Sequence, residues 1–399
     1  MKKKVVIGLS GGVDSSVAAW ILKEQGYDVT ALFMRNWHDT TGLLQSDCHW
    51  EDDQMFAGMV AAKLKIPFHM VDLSRQYKQK VIDYMFSEYA KGRTPNPDIL
   101  CNREIKFDSF FKEARKFGAD FTATGHYCRK EKLESGERTI NRLLSGKDKN
   151  KDQSYFLCQI NQEQLAYSLF PIGGMTKTDV RLAAGNLGLP TAQRKDSQGI
   201  CFVGKVHLPV FLQQQLDEKY GQIIEIPVSF KHKSWQSGYR DVDPSEEELM
   251  MATEPYSYSP SSGRIIGAHK GAHFFTIGQR KGLNIGGYKE PLFILGTDVE
   301  KNIIYAGEGR EHPGLYRKGL LIRSNEIHWV RRDMEMPDGE CREYMLRIRY
   351  RQPLQKARLY KRHNGMYIIF NRLQRGITPG QFAAWYDGEE LIGSGVISR

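Results

Sequence analysis

The sequence contains no apolar run approaching the roughly 18 residues a helix needs to cross a bilayer, so a membrane-spanning helix is excluded. Cysteine is scarce. Cys48, Cys101, Cys128, Cys158, Cys201 and Cys341 are the only six in 399 residues, with no Cys-x-x-Cys pair and no regular spacing. That excludes a disulfide framework and a zinc module, and each cysteine is first read as a small buried hydrophobe. Cys48 and His49 beside His38 lack a fourth ligand, so no metal site is assigned there. Heptads and internal repeats are also missing. Met1-Lys2-Lys3-Lys4 followed by Val5-Val6-Ile7 starts like a signal peptide, yet the apolar stretch breaks at Ser10-Gly11-Gly12 and no cleavage site follows. A cytoplasmic protein is expected.

What is present is ordinary globular material, with 40% hydrophobic and 26% charged residues. At 45.8 kDa the chain exceeds what one core usually serves, so two or three domains are expected. Lys and Arg outnumber Asp and Glu by 57 to 47. The excess is uneven: Tyr316 to Arg399 holds 16 basic and 9 acidic residues, which places +7 of the net +10 in the C-terminal part. A localised positive surface suits a polyanion, nucleic acid first.

Lys4 to Leu9 reads as a buried strand, Val13 to Gln25 as a helix with Val17, Ala18, Ile21 and Leu22 on one face, and Asp28 to Met34 as the next strand. The alternation continues with helices over 52–64, 77–89 and 105–117 and strands over 68–71 and 121–124. This predicts a doubly wound parallel α/β sheet with a ligand crevice at the strand C-terminal ends. After about Gly204 the texture changes to short alternating segments, among them 221–226, 273–278 and 292–296. From Leu320 onward LLIRS, YMLRIRYR, KARLYKR and GMYIIF read as antiparallel strands. The expected domains are therefore 1–204, a small mixed central domain over 205–312, and an all-β domain over 313–399. Residues 234–262, rich in Ser, Glu, Pro and Tyr, read as a surface insertion or long loop.

The strongest chemical signal is Gly8-Leu9-Ser10-Gly11-Gly12-Val13-Asp14-Ser15-Ser16, leaving the first strand and entering the first helix. A helix N-terminus favours phosphate, glycines allow close backbone approach, and the serine hydroxyls can donate to phosphate oxygens. The Gly-Lys-Ser/Thr ending of a Walker loop is absent. SGGVDSS instead resembles the SGGxDS loop of ATP pyrophosphatases, which split ATP between the α and β phosphates. That loop is shared by GMP, argininosuccinate and asparagine synthetases and by tRNA-modifying enzymes. Thr94-Pro95-Asn96-Pro97-Asp98-Ile99-Leu100-Cys101-Asn102 is expected to be extended and to present Asp98 and Cys101 from a loop. Cys201 lies in Asp196-Ser197-Gln198-Gly199-Ile200-Cys201-Phe202, and Arg347, Arg349 and Arg351 alternate as one face of a strand.

With Thr124-Gly125-His126-Tyr127, NKDQSYFL, FTIGQRKGL, RYRQ and TPGQ following in order, the chain resembles the tRNA-specific 2-thiouridylases from end to end. The resemblance implies an N-terminal ATP-pyrophosphatase domain, a small central domain and a C-terminal antiparallel β-barrel. It implies that Gly8, Leu9, Ser10, Gly11, Gly12, Val13, Asp14, Ser15, Met34 and Gly125 bind ATP with Mg²⁺. Asn96, Pro97 and Asp98 would meet the target base, with Asp98 also catalytic. Cys101 would be the nucleophile and Cys201 the persulfide carrier, the two joining in a transient disulfide. His126, Lys151, Asp152, Gln153, Arg349, Tyr350 and Gln381 would contact tRNA. The implied partners are tRNAs with a wobble uridine, those for Lys, Glu and Gln, and a persulfide sulfur-donor protein, with no membrane. Two other readings stay open: a different adenylating ligase on the same ATP domain, and an RNA-binding module with ATP as a regulatory ligand. The first lacks a glutaminase arrangement, and the framed cysteines Cys101 and Cys201 speak against the second.

Overall fold

A computed structural model of the chain describes residues 2–37, 50–136, 138–196, 208–230 and 244–399. β1 (Lys4–Gly8) runs into α1 (Val13–Glu24), then β2 (Asp28–Arg35), α2 (Trp50–Leu64) and β3 (Phe68–Asp72). Two long helical runs follow. α3 covers residues 74–90 with a π-type stretch at Lys78–Ile82, and α4 covers 97–116 with a second at Cys101–Ser109. β4 (Phe121–Ala123), the hairpin β5 (Cys128–Ser135) and β6 (Arg138–Ser145), α5 (Gln162–Ala166), β7 (Ser168–Leu169) and α6 (Lys177–Asn186) complete this part. The sheet order β3-β2-β1-β4-β7 is parallel throughout. β1 is its middle strand and is buried at every position after Lys4, as an apolar strand covered by helices on both faces should be. The strand order reverses beside β1, so the crevice opens where Gly8 leaves the sheet. The doubly wound α/β expectation holds.

After α7 (Leu208–Leu212) comes a small mixed sheet of β8 (Gly221–Glu225), β9 (Arg264–His269), β10 (Leu292–Asp298) and β11 (Ile303–Glu308), with β8 and β11 parallel. His273 and Phe274 lie in a 3₁₀ turn, not in one of these strands. Between β8 and β9, α8 (Glu246–Thr253) corrects the expectation of a loop over 234–262 for its described part. Ser245 and Glu248 form a capping box, and Leu249 and Ala252 are buried against Leu321, Tyr360, Tyr367 and Ile369 of the C-terminal barrel. Residues 231–243 lie outside the described part.

The barrel contains β12 (Tyr316–Arg323), β13 (Ile327–Trp329), β14 (Cys341–Arg347), β15 (Gln355–Arg362), β16 (Gly365–Arg375), β17 (Phe382–Asp387) and β18 (Glu390–Val396). The order β12-β16-β15-β14-β17-β18 is closed by backbone bonds between Leu321 and the residues after β18: Leu321 N–H to Arg399 and Ser398 N–H to Leu321. The hairpin β5–β6 of the N-terminal part joins the same sheet, with Leu143 and Leu144 opposite Leu391 and Glu390. One buried cluster accordingly runs from Leu32, Met34 and Cys101 through Tyr155 to Phe382, Tyr386 and Leu391. The N-terminal part and the barrel therefore share a buried core, and the β5–β6 hairpin extends the barrel's sheet.

Candidate active site

The loop from Gly8 to Ser15 is wedged between α2 and β4. Gly11 has φ +73°, and a Cβ there would lie 2.2 Å from the Asp53 carbonyl oxygen, so no side chain fits. On the other side a Cβ on Gly125 would lie 2.7 Å from the Ser15 amide nitrogen. Leu9, Val13 and Ser15 are buried beneath the loop, while Ser10 is exposed. The Ser10 amide donates to the Ser15 hydroxyl at 3.2 Å, and the Ser16 hydroxyl donates to the Gly12 carbonyl at 2.7 Å. Arg194 pins the loop by donating to the Gly11 carbonyl at 2.9 Å while pairing with Asp53 at 2.8 Å. Met34, next to last in β2, packs against Gly8, where a Cβ would lie 3.2 Å from its methyl carbon. The result is a rigid bend whose amides lead into the N-terminus of α1, a seat for an anion.

Beside this seat lies a charge cluster. The Lys177 ammonium donates to both Asp14 oxygens, at 2.8 and 2.9 Å, and pairs with Asp196 at 2.7 Å. The Tyr127 hydroxyl donates to Asp14 at 2.6 Å. Burial, then the Asp14 carboxylate, pushes the Tyr127 phenol far above its usual range, so it is a permanent donor. Lys151 and Arg181 also bond Asp196, at 2.6 and 2.7 Å. Burial alone would raise the Asp196 carboxyl; hydrogen bonds from Lys151 and Lys177 override it and hold the group well below the usual carboxylate range.

The segment 94–102 departs from its expected form. Asn96 caps a helix that begins at Pro97, its side chain accepting from the Ile99 amide at 3.3 Å. Cys101 therefore sits on α4 and is fully buried, not presented from a loop. Asp98 lies in the first helical turn and is partly exposed. The barrel grips this helix entry: Gln381 donates to the carbonyls of Thr94 and Pro95 at 2.9 and 3.2 Å, and its oxygen lies 3.4 Å from the Asn96 amide nitrogen. Asn102 donates to the Phe156 carbonyl at 3.1 Å, and the Phe156 ring lies 4.4 Å from that of Tyr350. Four sequence motifs thus meet at one junction.

The arginine stripe does not form. β14 ends at Arg347, and Arg351 has φ +63°, so the chain turns through 348–352. Arg347 is buried and pairs with Asp152 at 3.0 Å across the domain boundary. Asp152 also accepts from the amides of Gly146 and Ser154, both at 3.1 Å. Gln153 accepts from the Tyr127 amide at 2.9 Å. Arg349 is exposed and braced on the Arg375 and Gly376 carbonyls. His126 is buried against Phe107 and Phe170, bonded to the Thr124 hydroxyl at 2.8 Å. Burial, reinforced by Lys106, holds its ring well below the ordinary imidazole value.

Cys128 and Cys158 are buried, and burial pushes the Cys158 thiol up to about 12 and that of Cys128 well above its usual value, which disfavours the thiolate in both. Cys128 lies in β5, and Cys158 follows a 3₁₀ turn; both are the small buried residues expected of them. Cys341 lies exposed on β14. Cys201 falls outside the described residues, as do Cys48, His38 and His49, so the pairing of Cys101 with Cys201 has no geometry here.

Comparison with known proteins is decisive for the family. The chain is 56% identical over 396 residues to the tRNA-specific 2-thiouridylase MnmA of Christiangramia forsetii, covering 99% of this chain and 100% of that protein. The protein of the same name from Flavobacterium johnsoniae is 55% identical over 400 residues, with 99% and 100% covered. The chain belongs to the tRNA-specific 2-thiouridylase MnmA family. The model of a tRNA methyl transferase HUP domain matches residues 3–205, that of a tRNA methyl transferase PRC-barrel domain 254–308, and that of an aminomethyltransferase β-barrel domain 320–397. A 4-thiouridine synthetase–RNA complex is 17% identical with a TM-score of 0.32, covering 53% of this chain and 50% of that one. Among the described residues no helix is long and apolar enough to cross a membrane.

Lys177 and Arg194, which bond the loop, and Arg181, which bonds Asp196, lie outside the motifs legible in the sequence. A signal existed: Thr176 and Asp179 form a capping box that starts α6, which puts Lys177 and Arg181 one helical turn apart on one face.

Proposed function

We propose that the chain is a tRNA 2-thiouridine synthase. It transfers AMP from ATP to the C2 oxygen of the wobble uridine with release of pyrophosphate, and then replaces that oxygen by sulfur. The observation that carries this reading is identity over the whole chain to proteins named tRNA-specific 2-thiouridylase. The joined loop, helix and barrel support it. An α1 N-terminus with no room for side chains at Gly11 and Gly125 suits a nucleotide triphosphate. Residues Gly8 to Ser15, Met34 and Gly125 would hold it.

Among the described residues no three His, Cys, Asp or Glu side chains converge as a metal site. A Mg²⁺ travelling with ATP would therefore take Asp14 as its protein ligand and complete its shell from phosphates and water, which the donor chemistry allows. It would supply charge neutralisation on the phosphates.

The C2 oxygen of uridine is a poor leaving group, and AMP is a good one. Asn96, Pro97 and Asp98, held at the barrel by Gln381, would receive the target base, with Asp98 the catalytic carboxylate. The terminal sulfur of a Cys201 persulfide attacks C2 and AMP departs. The Cys101 thiolate then attacks the Cys201 sulfur, breaking the S–S bond and leaving the terminal sulfur on the uridine. A Cys101–Cys201 disulfide forms, and an external thiol reductant reopens it. The disulfide requires the Cα atoms of Cys101, buried on α4, and Cys201 to come within about 7 Å. Lys151, Gln153, Arg349, Tyr350 and Gln381 would meet tRNA directly, with His126 and Asp152 fixing the frame beneath them. The sulfur reaches Cys201 from a persulfide donor protein, and the substrates are the tRNAs for Lys, Glu and Gln. Pyrophosphate release from ATP that requires unmodified tRNA tests the reading; release of ADP and phosphate instead would refute it.

A further inference from the structure

Lys177 belongs to none of the motifs that mark the nucleotide loop, the target-base segment or the cysteines, yet it is the cation nearest the loop's only inward carboxylate. Its side chain is 13% exposed and lies over the Tyr127 ring, 5.9 Å from the centroid. The ammonium spans Asp14 and Asp196. Asp14 stands in the first turn of α1, so an anion on that helix N-terminus would lie within side-chain reach of the Lys177 ammonium. Asp196 does not depend on Lys177, since Lys151 and Arg181 also hold it. Asp14 likewise keeps the Tyr127 hydroxyl. Of the three cations around these two carboxylates, Lys177 is the one bonded to Asp14, and its backbone amide is fixed by the Asp148 carboxylate at 3.0 Å.

We propose that Lys177 is a substrate-binding residue that contacts the β and γ phosphates of ATP, and the pyrophosphate they become. Its ammonium stands on Asp14 as a counter-charge and moves to the polyphosphate when Asp14 takes up the accompanying cation. This deepens the proposed function and rests on its placing ATP at the Gly8–Ser15 loop. The contact is to the leaving phosphates only, so it discriminates ATP and pyrophosphate from AMP. A lysine with a merely structural role would not. Arginine preserves the charge and hydrogen-bonding capacity, whereas methionine preserves the stem alone.

The test is equilibrium binding of ATP, pyrophosphate and AMP, each with Mg²⁺, to the full chain and to Lys177→Met and Lys177→Arg, with thermal unfolding as a parallel readout. Lys177→Met is expected to lose about tenfold or more in affinity for ATP and for pyrophosphate, with less than about a twofold change for AMP. Lys177→Arg should recover part of the loss. Equal loss for all three ligands, or none for any, overturns the Lys177 assignment while leaving ATP at the loop. Failure of the unaltered chain to bind either nucleotide overturns the functional reading itself. Should Lys177→Met unfold, Lys177→Arg and Lys177→Gln carry the same comparison, and equal effects on AMP and ATP there count against the proposal.

Discussion

Arg347→Met isolates the joint between the two parts of the molecule. Arg347 is 8% exposed, and its guanidinium meets the Asp152 carboxylate at 3.0 Å, with Tyr386 stacked at 4.9 Å. Asp152 is 3% exposed and has two further donors, the amides of Gly146 and Ser154. Removing one member of a buried pair typically costs about 3–5 kcal/mol, because the partner charge is left in a poor solvent. Here the two amides continue to serve Asp152, so Arg347→Met should fall near 3 kcal/mol. Asp152→Ala leaves the guanidinium and both amides without the carboxylate and should cost more, about 5 kcal/mol. The double variant Arg347→Met/Asp152→Ala should be less destabilised than the sum of its single variants by about 1–3 kcal/mol. Urea unfolding followed by intrinsic fluorescence reads these differences, since Trp329 and Trp385 lie 5.2 Å apart within the barrel. Single variants each costing less than about 1 kcal/mol, or strict additivity, would refute the claim that this pair couples the domains.

Gly125→Ala forces a methyl to within 2.7 Å of the Ser15 amide and should weaken ATP binding at least about tenfold while the barrel transition stays put; unchanged ATP affinity contradicts the loop geometry. Arg349→Ala should weaken tRNA binding and reduce the dependence on salt by about one counter-ion, with ATP affinity unchanged, whereas salt-independent affinity would defeat the basic-surface argument. His126 stays neutral in the fold because burial and Lys106 lower its pKa. The unfolded chain takes up a proton near pH 6.5 that the native chain refuses, so stability falls as the pH drops below about 6.5. His126→Gln should flatten that descent in a pH series of urea midpoints, and an unaltered slope would count against a buried neutral ring.

The parallel sheet and the loop were legible because their signals are local: an apolar strand, paired glycines, a helix of regular period. The start of α4 was misread although its signal is local too. Asn96 at the cap and Pro97 at the first helical position are a helix-start signature, and two prolines in four residues masked it. The pairing of Arg347 with Asp152 spans 195 residues, and nothing near either one announces it. The same holds for the β5–β6 hairpin at the edge of β18, where register depends on partners far along the chain. α8 was hidden by composition: the Ser, Glu, Pro and Tyr of 234–262 read as a polar loop, while Leu249 and Ala252 supply a narrow apolar face to the barrel.

The central claim is that this chain replaces the C2 oxygen of a wobble uridine by sulfur at the expense of one ATP. Purified chain, loaded with persulfide, is incubated with ATP, Mg²⁺, reductant and unmodified tRNA for Lys, Glu or Gln, and the digested nucleosides are read by mass spectrometry. The account predicts one AMP and one pyrophosphate per 2-thiouridine formed, with Cys201→Ser releasing pyrophosphate and forming adenylated tRNA but no 2-thiouridine. Full thiolation by Cys201→Ser, or no 2-thiouridine from the unaltered chain, would contradict it.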